Sequence, residues 1–105
     1  MKATDLVTSG DIRAALTVAY LAAAMAEATE FQQNKLNELI TIEDMEEFRA
    51  DGSDLNIQLA INAVMGERWI PSDQALFPII TTLKRRLMTV EAEERAAYEA
   101  ARKPQ

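Results

Sequence analysis

Apolar residues recur every three or four positions over most of the chain, which is the spacing of one face of an α-helix. Near the N-terminus, Ile12, Leu16 and Tyr20 fall on one side of such a helix. The clean apolar stripe near the C-terminus consists of Ile79, Ile80, Leu83, Leu87 and Val90. The pattern predicts an all-α fold, a small helical bundle of about four helices with one long Ala-rich central helix and a long C-terminal helix.

A polar leader over residues 1–10 precedes the first predicted helix. Thr8 or Ser9 can cap that helix, because a side-chain oxygen at this position accepts hydrogen bonds from otherwise unpaired backbone N–H groups. The residues that follow lack Gly and Pro and consist mainly of good helix formers. We predict one long helix over about residues 11–39, or two helices that meet near residues 31–33.

A second helix is predicted over residues 42–50. Thr41 and Asp44 have the spacing of a capping box, in which each side chain accepts a hydrogen bond from the other residue's backbone N–H group. Gly52 follows as a stop signal, because glycine readily adopts the left-handed conformation that ends many helices. The residues expected to face inward are Ile42, Met45 and Phe48.

Residues 54–65 carry an ambiguous pattern. Apolar side chains alternate there with polar or small ones, which indicates a strand. The same side chains form helical stripes, and Ser53 and Gly66 are suitable start and stop residues for a helix. The apolar residues concerned are Leu55, Ile57, Leu59 and Ile61. We favour a helix, because the chain offers no second strand-like segment, and an intermolecular strand is the alternative.

The longest irregular stretch spans residues 67–78, where Ser72–Asp73 can cap a single helical turn. Pro78 suits the first position of a helix, so the last helix is predicted from Pro78 to about Arg102. The apolar pattern fades in its second half, and residues 91–105 are expected to extend as a solvated helix end. The 105-residue chain is expected to form a single helical domain.

The Ala-rich stretch over residues 14–28 is a candidate membrane span, signal peptide, core helix or partner-covered helix. A membrane span needs about 20 apolar residues, whereas Arg13 and Glu27 bracket only 13. A signal peptide has a positively charged leader, whereas Asp5 and Asp11 balance the basic residues here. We therefore expect a helix in a cytoplasmic protein that does not associate with membranes.

That helix is apolar around nearly its whole circumference. Such a helix either lies at the centre of its own fold or is completed by another chain, and three shorter helices can cover it only in part. Both alternatives stay open, a fully covered central helix and a helix completed in a dimer or by a different partner. The residues of the possible oligomer interface are Val18, Leu21 and Met25.

Composition narrows the chemistry that is available to the chain. The sequence contains no cysteine and no histidine, which excludes disulfides, thiolate metal sites and the commonest general base. Carboxylate pairs at helical spacing, such as Glu27 with Glu30, lack the histidines that helical di-metal sites add. We expect no metal, no cofactor and no catalytic residue, and a carboxylate-based metal protein or enzyme is the least favoured alternative.

The net charge of −6 is unevenly distributed. Residues 27–54 contain nine acidic and two basic residues, a net charge of −7, and residues 84–105 contain six basic and four acidic residues, a net charge of +2. Because nucleic acid repels a negative protein, we expect no direct nucleic-acid binding. The acidic residues that either bind a basic protein partner or form a solvated face are Glu43, Asp44, Glu47 and Asp51.

Two further features need an interpretation. The consecutive Lys84, Arg85 and Arg86 project about 100° apart around a helix, so we expect solvated or salt-bridged side chains instead of one basic face. Trp69 either anchors the irregular stretch to the core or, if exposed, is the first partner-binding residue to test. Tryptophan is enriched at the residues that dominate binding energy in interfaces.

These features favour a non-enzymatic protein-binding module that blocks a basic partner sterically or electrostatically, with self-association. The size, the acidity and the missing catalytic residue types resemble small inhibitor or accessory proteins, including those of bacterial viruses, although no motif carries the resemblance. The alternative function is that of a structural subunit in a homo-oligomeric helical assembly held by packing of the Ala-rich helix.

Overall fold

The computed structural model describes residues 8–102, and within this range every regular element is an α-helix, which confirms the predicted all-α fold. The helices are α1 (Ser9–Glu27), α2 (Glu30–Leu39), α3 (Ile42–Asp51), α4 (Leu55–Met65) and α5 (Phe77–Arg102). None of the five combines the length and the apolar character needed to cross a bilayer. Residues 1–7 of the predicted leader and 103–105 of the predicted helix end lie outside the described residues.

The start of α1 is capped as predicted. Thr8 Oγ1 accepts a hydrogen bond from the Asp11 backbone N–H group at 3.1 Å. The helix itself begins at Ser9, so residues 9 and 10 of the predicted leader belong to α1.

A capping box at Thr29 divides the predicted long N-terminal helix into α1 and α2. Thr29 Oγ1 accepts a hydrogen bond from the Gln32 backbone N–H group at 3.2 Å, and Gln32 Oε1 accepts one from the Thr29 N–H group at 2.9 Å. These bonds satisfy two backbone donors at the start of a new helix. The prediction of a single helix over residues 11–39 is therefore wrong. Its alternative of two helices is confirmed, with the junction at residues 28–29 and not near residues 31–33. The described residues form five helices.

The capping box predicted for α3 is confirmed. Thr41 Oγ1 accepts a hydrogen bond from the Asp44 N–H group at 3.1 Å, and Asp44 Oδ2 accepts one from the Thr41 N–H group at 3.0 Å. The helix ends at Asp51, and Gly52 follows with a φ of 70°. An L-residue with a Cβ atom is strained in this left-handed conformation, so the predicted stop at glycine has a steric cause.

One predicted inward residue of α3 faces solvent. Ile42 is 76% exposed, whereas Met45 and Phe48 are half-buried and pack against the core. A helix of ten residues with no fully buried side chain contributes little to the core. It is therefore attached to the body of the protein mainly along the side that carries Met45 and Phe48.

Residues 55–65 form helix α4 and not the alternative strand. Its N-cap is Asp54 and not the predicted Ser53, and the Asp54 carboxylate makes no capping bond to the α4 backbone. Asp54 Oδ2 instead accepts hydrogen bonds from Thr17 Oγ1 and Gln58 Nε2, both at 2.7 Å. The start of α4 is thus tied to the middle of α1 by a long-range hydrogen bond, which local capping preference cannot anticipate.

The irregular segment between α4 and α5 ends in the short turn predicted at Ser72–Asp73. Asp73 Oδ1 accepts hydrogen bonds from the backbone N–H groups of Ala75 and Leu76, at 2.9 and 3.0 Å. Helix α5 then begins at Phe77, one residue before the predicted position, and continues to the predicted end.

Helices α1 and α5 pack side by side in opposite directions. The backbone N–H group of Ser9 at the start of α1 donates to Glu94 in the second half of α5, at 3.2 Å. Further along α1, the Tyr20 ring lies 5.2 Å from the ammonium group of Lys84. The buried side chains of this first core cluster are Ile12, Leu16, Ala19, Ala23, Ile80, Leu83 and Val90.

On its other side, α1 packs against α4, which in turn packs against α2. The buried residues of this second core cluster are Ala24, Leu36, Ile57 and Ile61. The molecule measures 59 × 30 × 27 Å, and the 26 residues of α5 account for about 39 Å of its length. Helix α1 is therefore central. The C-terminal part of α5 continues beyond the start of α1, and residues 92–102 are all exposed.

The close packing of α1 against α5 predicts how larger side chains change the free energy of unfolding. Ala23 is fully buried in this contact, whereas its neighbour Ala22 is exposed. Ala23→Leu should lower the free energy of unfolding by about 1–3 kcal/mol, because the added atoms force the helices apart. Ala22→Leu is the matched control and should stay within about 0.5 kcal/mol of wild type. Urea denaturation followed by circular dichroism measures both, and equal effects would contradict the described packing.

Candidate functional site

Helix α3 carries an acidic surface on the side turned away from Met45 and Phe48. The predicted partner-binding residues Glu43, Glu47 and Asp51 are exposed. Glu46 is exposed as well, although the sequence prediction left it out. Its position was available from helical geometry, since three residues correspond to about 300° and Glu46 therefore lies close to Glu43 around the helix. The acidic surface is defined as Glu43, Glu46, Glu47 and Asp51.

Asp44, the remaining predicted acidic residue, is engaged within the chain. In addition to the capping bond with Thr41, its Oδ1 accepts a hydrogen bond from Asn56 Nδ2 at 3.0 Å. The Thr41 backbone N–H group and the Asn56 amide hold the pKa of Asp44 below its usual value. Asp44 thus fixes the start of α3 against the first turn of α4.

Leu55 and Leu59 form an apolar ridge on the outer side of α4. They are 64% and 55% exposed, whereas Ile57 and Ile61 of the same helix are buried. The two pairs lie on opposite sides because successive helical residues are rotated by about 100°. We call Leu55 and Leu59 the leucine ridge. Helix α4 is therefore apolar on two sides, and only one of them is covered by the described chain.

The leucine ridge adjoins the acidic helix. Asn56, which donates to Asp44, directly follows Leu55 and lies three residues before Leu59. On α3, Glu47 lies three residues after Asp44 and therefore on the next turn of the same side. One partner surface can thus contact exposed leucines and exposed carboxylates together.

A groove of about 510 Å³ lies over α1, between α4 and α5. Its apolar lining consists of Leu16, Tyr20, Ile61, Trp69 and Leu87. A volume of this size falls in the range of sites that hold small ligands or a few side chains of a partner. The groove could not be predicted from the sequence pattern, because its lining comes from three helices and from the segments before and after α4.

The end of the groove that lies toward the N-terminus of α1 is polar. The buried Thr17 hydroxyl lies 2.7 Å from Asp54 Oδ2 and 2.9 Å from the Arg13 carbonyl oxygen, and its single proton is shared between these two acceptors. Gln58 donates to the same carboxylate oxygen. Arg13 also lines the groove, and its guanidinium group forms an ion pair with Glu91 of α5.

Trp69 lies apart from the acidic surface. It is half-buried, packs against both core clusters and contributes to the groove lining. The sequence left two interpretations of Trp69 open, an anchor to the core and an exposed partner-binding residue. The observed contacts match the anchor. The part of the indole ring that faces the groove stays accessible to a ligand.

Glu27 ties the segment after α4 to the end of α1, a contact that sequence reasoning missed. Its carboxylate accepts hydrogen bonds from the Ser72 hydroxyl at 2.9 Å and from the Ser72 and Asp73 backbone N–H groups at 3.0 and 3.3 Å. Partial desolvation opposes ionisation, but these bonds and the Trp69 indole outweigh it and lower the pKa of Glu27. No local motif signals a contact over 45 residues.

The three residues predicted for an oligomer interface have different surroundings. Leu21 and Met25 are half-buried and pack against the second core cluster of their own chain. Val18 is 57% exposed. Of the predicted patch, Val18 is therefore the residue with most of its side chain available to a second molecule.

The basic residues at the middle of α5 do not share one face. Lys84 is exposed with its ammonium group over the Tyr20 ring, Arg85 is exposed and Arg86 is half-buried. No acidic side chain of residues 8–102 lies within ion-pair distance of the three. The three side chains therefore have different surroundings and do not form one exposed basic face.

Neither a metal site nor a known relative points to a function. In the part of the chain that the structure describes, no group of three or more acidic side chains is arranged to hold a metal ion. Comparison of the chain with models of protein families, with curated proteins and with solved structures finds no match.

Three carboxylates make the stability depend on acid pH. Glu27, Asp44 and Glu94 have lowered pKa values in the folded protein. Such groups add stability above the unfolded-state pKa, which is about 4, and the stability is lost as the pH falls through the lower folded value. We expect the Tm of the wild-type protein to be steady near neutral pH and to fall below about pH 4.

Glu27→Gln separates one of these contributions. The variant should have a lower Tm than wild type at pH 7, and the difference should narrow as the pH falls below the unfolded-state pKa of about 4 and through the lower folded-state pKa of Glu27. The matched control is Glu93→Gln, at an exposed position on α5, and it should follow the wild-type curve. Thermal melts monitored by circular dichroism give the comparison, and a difference that widens in acid would contradict it.

Proposed function

We propose that this chain is a non-enzymatic protein-binding module that blocks a basic protein partner, in the manner of a small inhibitor or accessory protein. The observation that carries the proposal is the acidic surface, four exposed carboxylates within one short helix. Met45 and Phe48 hold the opposite side of that helix against the core. The carboxylates are thus presented on a positioned element.

Electrostatics supports a basic partner. Residues 27–54, which include α3, carry a net charge of −7. Within α3 itself, Arg49 is the one basic residue. A localised field of one sign attracts an oppositely charged protein and accelerates association. It also disfavours acidic proteins, so the same charges contribute specificity.

The leucine ridge supports a lasting contact beyond electrostatic attraction. Burial of apolar surface contributes about 25 cal/mol per Å², and typical interfaces combine an apolar centre with a polar rim. Leu55 and Leu59 supply exposed apolar area next to the acidic helix. In this proposal the ridge contributes affinity, and the acidic surface sets the association rate and the choice of partner.

Charge reversal tests the acidic surface. Wild-type protein and the double variant Glu43→Lys/Glu47→Lys are immobilised, proteins are captured from native lysate, and a captured basic protein is purified for stopped-flow binding. We expect the association rate at low salt to fall at least about tenfold in the variant and its salt dependence to weaken.

The matched control makes the same substitutions at exposed positions of α5, in the double variant Glu93→Lys/Glu99→Lys. This control should retain most of the wild-type rate if the location of the charges matters. Unchanged low-salt binding by the α3 variant would remove the basis of the proposal. Equal losses in the two variants would show that only net charge matters and would contradict the assignment to α3.

A second candidate function is that of a subunit in a homo-oligomer, and the exposed apolar side chains of Val18 and the leucine ridge favour it. Copies of a chain with a net charge of −6 repel one another, so added salt should promote this association. Salt should weaken binding to a basic partner, which separates the two candidates.

Multi-angle light scattering at rising protein concentration and at two salt concentrations tests the oligomer. The candidate predicts a mass above the monomer that increases with salt and is reduced in Leu55→Gln/Leu59→Gln. These positions are exposed, so the variant should keep its fold, which circular dichroism checks. A strict monomer at about 1 mM protein would reject this candidate.

A further inference from the structure

We propose that the groove over α1 binds an apolar helical segment of the basic partner, with a lysine or arginine of that segment beside Asp54. The inference rests on the proposed function, because it names the part of the basic partner that the chain holds. It adds a second binding site, on a different side of α4 from the contact with α3.

The apolar lining of the groove and its length along α1 match a short helical segment. Helices α4 and α5 both pack against α1 and leave the groove between them. The stretch of α1 from Arg13 to Tyr20 that lines it covers two helical turns, about 10 Å. An amphipathic helix places side chains at i, i+3, i+4 and i+7 over the same length, which is a recurrent way for a helix to occupy an apolar groove.

The charge of the polar end selects a basic residue. Among residues 8–102, no Lys or Arg lies within ion-pair distance of Asp54, and Arg13 is already paired with Glu91. Asp54 and Arg13 also line a second cleft, between the start of α1 and the end of α3, together with Asp11, Arg49 and Asp51. The cleft at this end of the groove thus has three aspartates, Asp51 of the acidic surface among them, against two arginines. Because Arg13 is paired with Glu91, the carboxylates are in excess there.

The other end of the groove has the opposite sign. Lys84 stands over Tyr20, two turns along α1 from Arg13. A segment with basic residues at both ends would meet repulsion at this end. The complementary ligand is thus an apolar helix that carries its lysine or arginine at one end only, and the charges of the groove orient it.

Trp69 provides a direct measurement, because it is the single tryptophan of the chain and lines the groove. The probe is a Trp-free synthetic peptide of about 14 residues, long enough to populate a helix. It has leucines at i, i+3, i+4 and i+7 and two lysines at one end. The matched peptide has two glutamates in place of the lysines. We expect a saturable blue shift of Trp69 fluorescence with the lysine peptide and at least about tenfold weaker binding of the glutamate peptide.

Variants of the full chain assign the binding to the groove. Asp54→Asn removes the charge while keeping the size of the side chain, and should weaken binding of the lysine peptide about fivefold to tenfold. Glu38→Gln, on the exposed side of α2, is the matched control and should not weaken it. Asn62→Arg at an exposed groove position leaves the core untouched and should weaken it at least about tenfold.

Three results would overturn the inference. They are the absence of a saturable Trp69 change up to about 1 mM peptide, equal binding of the two peptides, and equal effects of Asp54→Asn and Glu38→Gln. If any of these results occurs and Glu43→Lys/Glu47→Lys loses partner binding, the groove proposal is rejected and the acidic-surface proposal is retained. Asp54-dependent peptide binding supports the groove even where charge reversal on α3 leaves partner binding unchanged, a result that overturns only the acidic-surface proposal.

Discussion

The close contact of α1 with α5 is the constraint on which the rest of the structure depends. Small side chains at Ala19 and Ala23 allow the two helices to approach, and larger apolar residues fill the space on either side. Alanine also favours the helix itself, because it loses no side-chain entropy. Since Ala24 on the same helix belongs to the second core cluster, α1 joins both clusters, and the other helices are arranged around it.

Carboxylates with internal partners hold the remaining segments in place. Asp54 ties the start of α4 to α1, Asp44 ties α3 to α4, and Glu27 ties the connecting segment to α1. These three carboxylates accept hydrogen bonds within the fold, whereas the acidic surface of α3 faces solvent, as Glu93 and Glu99 of α5 also do.

Helix α4 brings the candidate binding features together. Its inner side contributes to the core, its outer side carries the leucine ridge, and one flank lines the groove. The opposite flank holds α3 through Asn56. A short helix that is apolar on more than one side is stable in this position because α1 and α2 cover one apolar side, and the uncovered side is then available for binding.

Local sequence signals were enough to predict the helical class, most helix ends and the caps at Thr8, Thr41 and Asp73, because these depend on residues within one or two turns. The division at Thr29 is equally local, but it was obscured by the apolar pattern that continues on both sides of it. Which of several apolar sides is covered depends instead on contacts between helices that are distant in the sequence.

Leu21 and Met25 pack inward while Val18 and Ile42 face solvent, because the helices that cover or leave them come from distant parts of the chain. The groove and the link from Asp54 to Thr17 have the same origin. A helical period defines the sides of a helix, and packing between helices distant in the sequence decides which side is buried and which is left to bind.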